Sequence, residues 1–368
     1  MADKLAGGIQ IRNLYKIFGP NARDYVDSVK AGLSKTQLLE NHGHVLGLRD
    51  INLDIPAGSI QVIMGLSGSG KSTLIRHINR LIDPTAGEVL VDGVDVVKMD
   101  QSKLREFRRA QTAMVFQKFA LLPHRNVLEN VLYGLEIRGR SRTESVNIAM
   151  RWIERVGLKG FEKRYPNQLS GGMQQRVGLA RALTMDAPVL LMDEAYSALD
   201  PLIRMDMQSV LLDLQKEIRK TIVFITHDLD EALRLGDQIA ILRDGCMIQQ
   251  GTRQDIVLRP ADEYVENFVR QVNRGKVVSV ESVMKPVKPS VQLSERMIKA
   301  EMTIEEAIQL VGSAPDVDFT VVNAAGQPVG YTNLGQLAGA LVNSHPSKPD
   351  SAFPAPPVRS IADARHLK

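Results

Sequence analysis

The run Gly65-Leu66-Ser67-Gly68-Ser69-Gly70-Lys71-Ser72-Thr73 fits the pattern G-x-x-x-x-G-K-[ST]. Glycines let a backbone curl round an anion with no Cβ in the way. The resulting nest of N–H groups, backed by the positive end of a helix, favours phosphate. Lys71 would set its ammonium on the β- and γ-phosphates of a nucleoside triphosphate, and Ser72 would offer its hydroxyl to Mg2+. The alternative is a glycine-rich turn that only joins a strand to a helix. A phosphate loop also needs a second oxygen for the metal and an activator of water. The apolar run Val189-Leu190-Leu191-Met192 ends in Asp193-Glu194. Asp193 is placed to serve Mg2+ directly or through its water shell, and Glu194 to act as general base. An acidic pair that merely closes a strand is the other reading. A third stretch, Leu169-Ser170-Gly171-Gly172-Met173-Gln174-Gln175-Arg176, opens a helix predicted to run to Met185. Its exposed N–H groups make a second anion site.

These residues need elements to hold them. Ile60–Met64 reads as a buried strand before the glycine loop, and Leu74–Asn79 as the first turns of a helix after it. Met114–Phe116, Val189–Met192 and Thr221–Thr226 are continuous apolar runs, as buried parallel strands are. They end in Gln117, Asp193 and His227, and open α/β sheets bind ligands at such carboxyl ends. Ile9–Leu14 and Leu48–Ile55 alternate as half-buried strands do. Between them residues 21–47 look inserted, with a helix or two short ones broken at Gly32. Leu104–Gln111 reads as a basic helix whose Arg105, Arg108 and Arg109 form a solvated face. Residues 118–168 read as mostly helical. Leu235–Gly251 reads as two strands about Asp244-Gly245, and a helix near Pro260–Gln271 closes the first domain, 1–271. Residues 276–343 form a smaller α+β unit, and 344–368, rich in Pro and Ser, read as a disordered tail.

The chain has 368 residues, a formal net charge of +4 and one cysteine, Cys246. The length is enough for two or three domains. The mild positive excess does not mark a nucleic-acid binder and is compatible with an anionic membrane surface. A single cysteine allows no intrachain disulfide. No apolar stretch approaches the roughly 18 residues of a spanning helix. His42, His44, His77 and His124 show no metal-ligand spacing.

The run from Leu169 resembles the signature motif of ATP-binding cassette proteins, with Met173 in place of the usual Gln on the helix face beyond the Ser and glycines. The resemblance implies further roles. Gln117 is similar to the Q-loop glutamine, sensing γ-phosphate and metal and linking to the membrane partner. Ser197-Ala198-Leu199-Asp200 is similar to the D-loop. His227 is similar to the switch histidine that holds the γ-phosphate. Phe18 sits where the family places an aromatic that stacks on adenine. In this family the signature of one subunit covers the nucleotide on the other. One phosphate loop and one signature therefore imply a head-to-tail homodimer binding two ATPs with Mg2+.

The insertion at 21–47, Met64–Lys71, the run Val115-Phe116-Gln117-Lys118-Phe119-Ala120-Leu121-Leu122-Pro123-His124, and Asp200-Pro201-Leu202-Ile203-Arg204 resemble the ATPase subunit of quaternary-amine importers. Those take up glycine betaine, proline betaine, choline or proline; histidine importers share much of the pattern. The implied fold is a P-loop NTPase of the cassette type with a helical subdomain. The implied partners are membrane permease subunits and, indirectly, a substrate-binding protein, with no nucleic acid. The implied location is peripheral, at the cytoplasmic face of the cell membrane. The smaller unit resembles a single cystathionine-β-synthase repeat, a regulatory or dimerisation module. Asn333 and Gln336 stand where that family's ligand-binding Thr and Asp are usual. A soluble cassette acting on ribosomes or DNA is the reading of another class. Against it, the chain carries one cassette and no long coiled coil.

Overall fold

A computed structural model describes residues 6–117, 119–287, 294, 296–312 and 317–342. The expected tail, 344–368, lies outside the described residues, as does Lys118. The chain divides into two compact units, Met1–Val272 and Asn273–Lys368.

The first unit is built on a six-stranded sheet in the order β10-β9-β3-β8-β7-β6. These strands are β3 (Ile60–Met64), β6 (Thr112–Val115), β7 (Val189–Asp193), β8 (Thr221–Thr226), β9 (Gln238–Arg243) and β10 (Cys246–Gly251). All run parallel except β10, which pairs antiparallel with β9. Every residue of β3, β7 and β8 is buried. Their unbroken Ile, Val, Leu and Met runs follow from this, because a strand covered on both faces has no wet side to make polar.

A second sheet, in the order β2-β1-β4-β5, is antiparallel. It is formed by β1 (Ile9–Phe18), β2 (Val45–Ile55), β4 (Ala86–Val91) and β5 (Val94–Asp95). Strand β1 continues past Leu14, where the sequence pattern ends, because a bulge at Asn13 (φ 45°) shifts the register and pairing resumes to Phe18. The inserted residues form α1 (Val26–Lys30) and α2 (Lys35–His42), whose Val26, Val29 and Leu38 pack with Tyr15, Ile17 and Leu46.

Helix α3 (Lys71–Ile78) follows β3, and α4 (Gln101–Ala110) precedes β6. Of the three arginines expected on the solvated face of α4, Arg105 and Arg109 are exposed but Arg108 is not. Its guanidinium donates to the carbonyls of Asn79 (2.9 Å) and Arg80 (2.5 Å), left without helical partners at the end of α3. Three further helices, α5 (Val127–Ile137), α6 (Arg142–Arg155) and α7 (Gly171–Thr184), pack on one another. Capping fixes their starts: Asn126 and Glu129 form a reciprocal box, and Ser141 and Ser170 each accept from the third backbone N–H. Helix α8 (Pro201–Ile218) joins β7 to β8, and α9 (Leu229–Leu235) joins β8 to β9. The helix expected over Pro260–Gln271 is α11 (Glu263–Val269); a further short helix, α10 (Arg253–Leu258), precedes it and stops before Pro260, which cannot donate to a helical ladder. Cys246 opens β10 half-buried, and burial pushes its thiol above the usual range.

The second unit carries a sheet in the order β11-β14-β13-β12. Its strands are β11 (Lys285–Pro286), β12 (Met297–Lys299), β13 (Asp318–Val322) and β14 (Pro328–Asn333); its helices are α12 (Arg274–Val277), α13 (Ile304–Val311) and α14 (Leu334–Val342). Ile298, Ile304, Ala307, Val321 and Leu337 are buried in it.

His77, on α3, is fully buried, with Nδ1 2.6 Å from the Thr73 carbonyl. Burial drives its pKa down to about 4, so the unfolded chain takes up a proton that the folded one refuses. The resulting stability is complete above pH 6.5 and is lost as pH falls from 6.5 towards 4, on the order of 3 kcal/mol. Urea titrations across that window should show this dependence in the wild type and a much flatter one in His77→Gln.

Candidate functional site

The glycine loop leaves β3 and enters α3 through a backbone that only glycine adopts without strain. Gly65, Gly68 and Gly70 have φ of 150°, 76° and 103°. Space makes the same demand. A Cβ on Gly65 would strike the Leu242 carbonyl, and one on Gly70 would lie 2.8 Å from the Gly47 carbonyl. The loop is thus wedged between β2 and the β9–β10 turn, where Gly245 N–H donates to the Ser69 carbonyl at 3.0 Å. Leu66, Ser67 and Gly68 at its crest are exposed.

Lys71 is 4% exposed and turns back under the crest. Its Nζ donates to the carbonyls of Gly65 (2.8 Å) and Leu66 (3.0 Å), and lies 3.8 Å from Glu194 Oε1. Burial pushes the ammonium below the usual lysine range, opposed by the Glu194 and Asp193 carboxylates. Ser72 donates its hydroxyl to Asp193 Oδ1 at 2.7 Å, and Arg76, one turn further along α3, reaches Oδ2 at 3.1 Å. Gln117, just beyond β6, donates to Glu194 Oε2 at 2.9 Å and to the Ser197 hydroxyl at 3.3 Å. Glu194 sits at φ 47°, a left-handed conformation unusual for a residue with a side chain. The Ser197 hydroxyl donates to its carbonyl at 3.0 Å and holds that turn. Lys71, Ser72, Asp193, Glu194 and Gln117, expected from the sequence to act together, therefore form one connected cluster at the carboxyl ends of β3, β6 and β7.

The other expected residues stand outside that cluster. Ser170 caps α7, accepting from Met173 N–H at 3.3 Å; Gly171 is exposed and Gly172 buried. A Cβ on Gly172 would strike Ile203 in the first turn of α8, so the close approach of α7 and α8 requires glycine there. Asp200 caps α8 through Ile203 N–H at 3.1 Å. His227 is exposed at the end of β8. Phe18 is 39% exposed, with Lys16 Nζ 4.9 Å above its ring and Gly47 against its edge. Thr73 contributes its carbonyl to His77.

Sequence reading missed Arg76 and Arg181. Arg76 was legible as the residue four after Ser72, on the same helical face. Arg181, from α7, donates to the carbonyls of Phe119 (2.9 Å) and Ala120 (2.7 Å), both held at positive φ (53° and 48°) just beyond Gln117. Nothing in the local pattern marks that long-range contact. Among the described residues no group of three or more His, Cys, Asp and Glu could hold a metal. The hard oxygens of Ser72 and Asp193, 2.7 Å apart, suit a cation that keeps its own water and shares phosphate oxygens, as Mg2+ does.

Residues 48–197 match the family model described as ABC transporter. The chain is 53% identical over 277 residues to the glycine betaine transport ATP-binding protein OpuAA of Bacillus subtilis, a match covering 75% of this chain and 66% of that relative. It is 42% identical over 333 residues to the trimethylamine N-oxide transport system ATP-binding protein TmoW of Ruegeria pomeroyi, covering 90% of this chain and 94% of that one. The chain belongs to the ABC transporter family. A solved dimeric, post-hydrolysis state of the ATP-binding cassette MJ0796, bound to ADP and Pi, superposes with a TM-score of 0.57 at 33% identity, over 66% of this chain and 98% of that one. The ABC ATPase fold expected from the sequence is thereby established, with nucleotide binding and ATP hydrolysis coupled to transport as its activity. In this ABC ATPase the polar cluster lies at the carboxyl edge of the sheet, and among the described residues no helix is long and apolar enough to cross a membrane.

The Asp193 carboxylate is buried, so removing its cation leaves a charge short of a partner. Arg76→Met should lower stability by about 1–2 kcal/mol, less than for a fully buried pair because Arg76 is part-exposed to solvent. Chemical denaturation at neutral pH measures it.

Proposed function

We propose that this chain is the ATP-hydrolysing subunit of an importer for quaternary amines such as glycine betaine, proline betaine or choline. The observation that carries the proposal is the connected Lys71–Glu194–Gln117 arrangement on the cassette fold, in a chain 53% identical to a glycine betaine transport ATPase. Loop N–H groups from Gly65 to Thr73 cradle the phosphates of ATP, and Lys71 exchanges its two carbonyl partners for phosphate oxygens. Ser72 and Asp193 would hold Mg2+, and Gln117, bonded to the neighbouring Glu194, would sense it; the ion would neutralise phosphate charge. Glu194 takes the proton of the attacking water, and Gln117 orients that carboxylate from its far oxygen. His227, exposed at the strand end, is free to turn to the γ-phosphate. Phe18 offers a half-open ring to adenine.

The exposed Ser170-Gly171 end of α7 reads as one half of a shared site. Two copies paired head to tail would place it, with Asp200, over the partner's nucleotide. Permease subunits supply the membrane span, with the ATPase at the cytoplasmic face, and a substrate-binding protein delivers the amine. The second unit acts as a regulatory or dimerisation module. Its Asn333 and Gln336 are engaged in structure: the Asn333 amide oxygen accepts Gln336 N–H at 3.0 Å and its nitrogen donates to Asp318 at 3.0 Å. The match over 90% of the chain to a trimethylamine N-oxide transport system ATP-binding protein favours that oxide as the alternative cargo.

Glu194→Gln is expected to bind ATP and pair in size-exclusion chromatography while hydrolysing at least about a hundredfold more slowly. Normal turnover in that variant would overturn the base assignment. ATPase activity with the permease in vesicles, with and without binding protein, tests the cargo. Stimulation by glycine betaine supports the quaternary-amine reading; a response to trimethylamine N-oxide or histidine alone reassigns the cargo.

A further inference from the structure

Helices α8 and α9 are joined by a polar ladder rather than by apolar packing alone. Arg204, in the first turn of α8, donates from Nη1 to Asp228 at 3.0 Å and from Nη2 to the Leu199 carbonyl at 3.2 Å. One turn on, Gln208 donates to Glu231 at 3.0 Å. At the far end, Arg234 donates to Gln208 (3.0 Å) and to the Ser209 hydroxyl (2.8 Å). The two ends of the ladder differ in what they adjoin. The Arg204 end touches Leu199, immediately before Asp200, and Asp228, immediately after His227. Asp228 also caps α9 through Glu231 N–H at 3.2 Å, and its own N–H donates to the Thr226 hydroxyl at 3.0 Å. His227 thus rides on a turn pinned on both sides. Ile203, the neighbour of Arg204, packs directly on Gly172.

We infer that Arg204 is a positioning residue that relays the state of the partner's nucleotide site to His227 of its own. The inference rests on the head-to-tail pairing proposed above. In that pairing the exposed Ser170-Gly171 end of α7, with Gly172 directly behind it, and Asp200 lie over the partner's nucleotide, whereas His227 serves the chain's own. The first turn of α8 touches all three regions through Ile203, the Leu199 carbonyl and Asp228. A displacement of the signature or of Asp200 therefore moves the guanidinium, and with it the turn carrying His227. Two separate helix starts, packed through a glycine contact and one forked cation, behave as a single body.

The test uses the full chain and compares Arg204→Met, Arg204→Lys and Arg234→Met. The readouts are kcat, KM and Hill coefficient for ATP hydrolysis, together with the melting temperature. The wild type should show a Hill coefficient above 1. Arg204→Met should lower kcat by about tenfold and bring the Hill coefficient to 1, with KM within about twofold. Arg204→Lys, which keeps the charge but not the fork, should recover part of both. Arg234→Met removes two hydrogen bonds from the same ladder and should lower the melting temperature comparably, yet leave kcat and cooperativity near wild type. Equal losses in Arg204→Met and Arg234→Met would make the role structural and overturn the relay, as would wild-type kinetics in Arg204→Met or a wild-type Hill coefficient of 1. Chromatography of Glu194→Gln with ATP separates the two ideas. Failure of that parent to dimerise removes the pairing and the relay together; dimerisation with neutral Arg204 variants removes the relay alone.

Discussion

A lysine ammonium almost wholly removed from water is the constraint around which the ATPase unit is arranged. Desolvating a cation is unfavourable by several kcal/mol unless oxygens replace its hydration shell. Here the replacements are the Gly65 and Leu66 carbonyls, with the Glu194 carboxylate behind them. Those carbonyls point inward only because the loop backbone takes left-handed dihedrals, which requires glycine at 65, 68 and 70. The loop keeps that shape because Gly47, Leu242 and Gly245 press on it from two sides. The demands of one charge thus reach both sheets.

The parts of this arrangement that are local in sequence were legible before any coordinates. Loop, strand and helix follow each other within residues 60–79, and their glycine and apolar spacing states what they do. The buried runs of β3, β7 and β8 were equally plain, because a strand covered on both faces has no periodicity to misread. What escaped was carried by long cationic side chains. Arg108 looks like one of three solvated arginines, yet it closes the end of α3 across 28–29 residues of chain. Arg181 and Arg204 likewise look like ordinary helical surface residues. Their partners are backbone carbonyls or carboxylates on other elements, and sequence periodicity carries no information about them. Strand β1 was cut short for a different reason: a bulge at Asn13 breaks the alternation without breaking the ladder.

Left-handed backbone occurs at several turns of the unit, and three such residues stand where the sheet hands over to the cluster. Glu194, Phe119 and Ala120 all take positive φ, and each is held by a specific donor: the Ser197 hydroxyl for the first, the Arg181 guanidinium for the other two. Conformations of this kind are unfavourable by about 1–3 kcal/mol each and persist only where surroundings over-determine them. Phe119 and Ala120, two and three residues beyond Gln117, are therefore tied to α7.

The half-buried thiol at the start of β10 has a practical side. Burial raises its pKa and half-covers the sulfur, and thiolate is the species that alkylating reagents attack, so Cys246 reacts more slowly than an exposed thiol. With no second cysteine in the sequence, the chain offers a single, partly covered thiol as background to maleimide chemistry. Once Cys246 is replaced, a reporter cysteine on the exposed crest of the phosphate loop or at the start of the signature helix would carry the only dye. The motions of the two ends of the site then become separately visible by fluorescence, at the cost of one substitution.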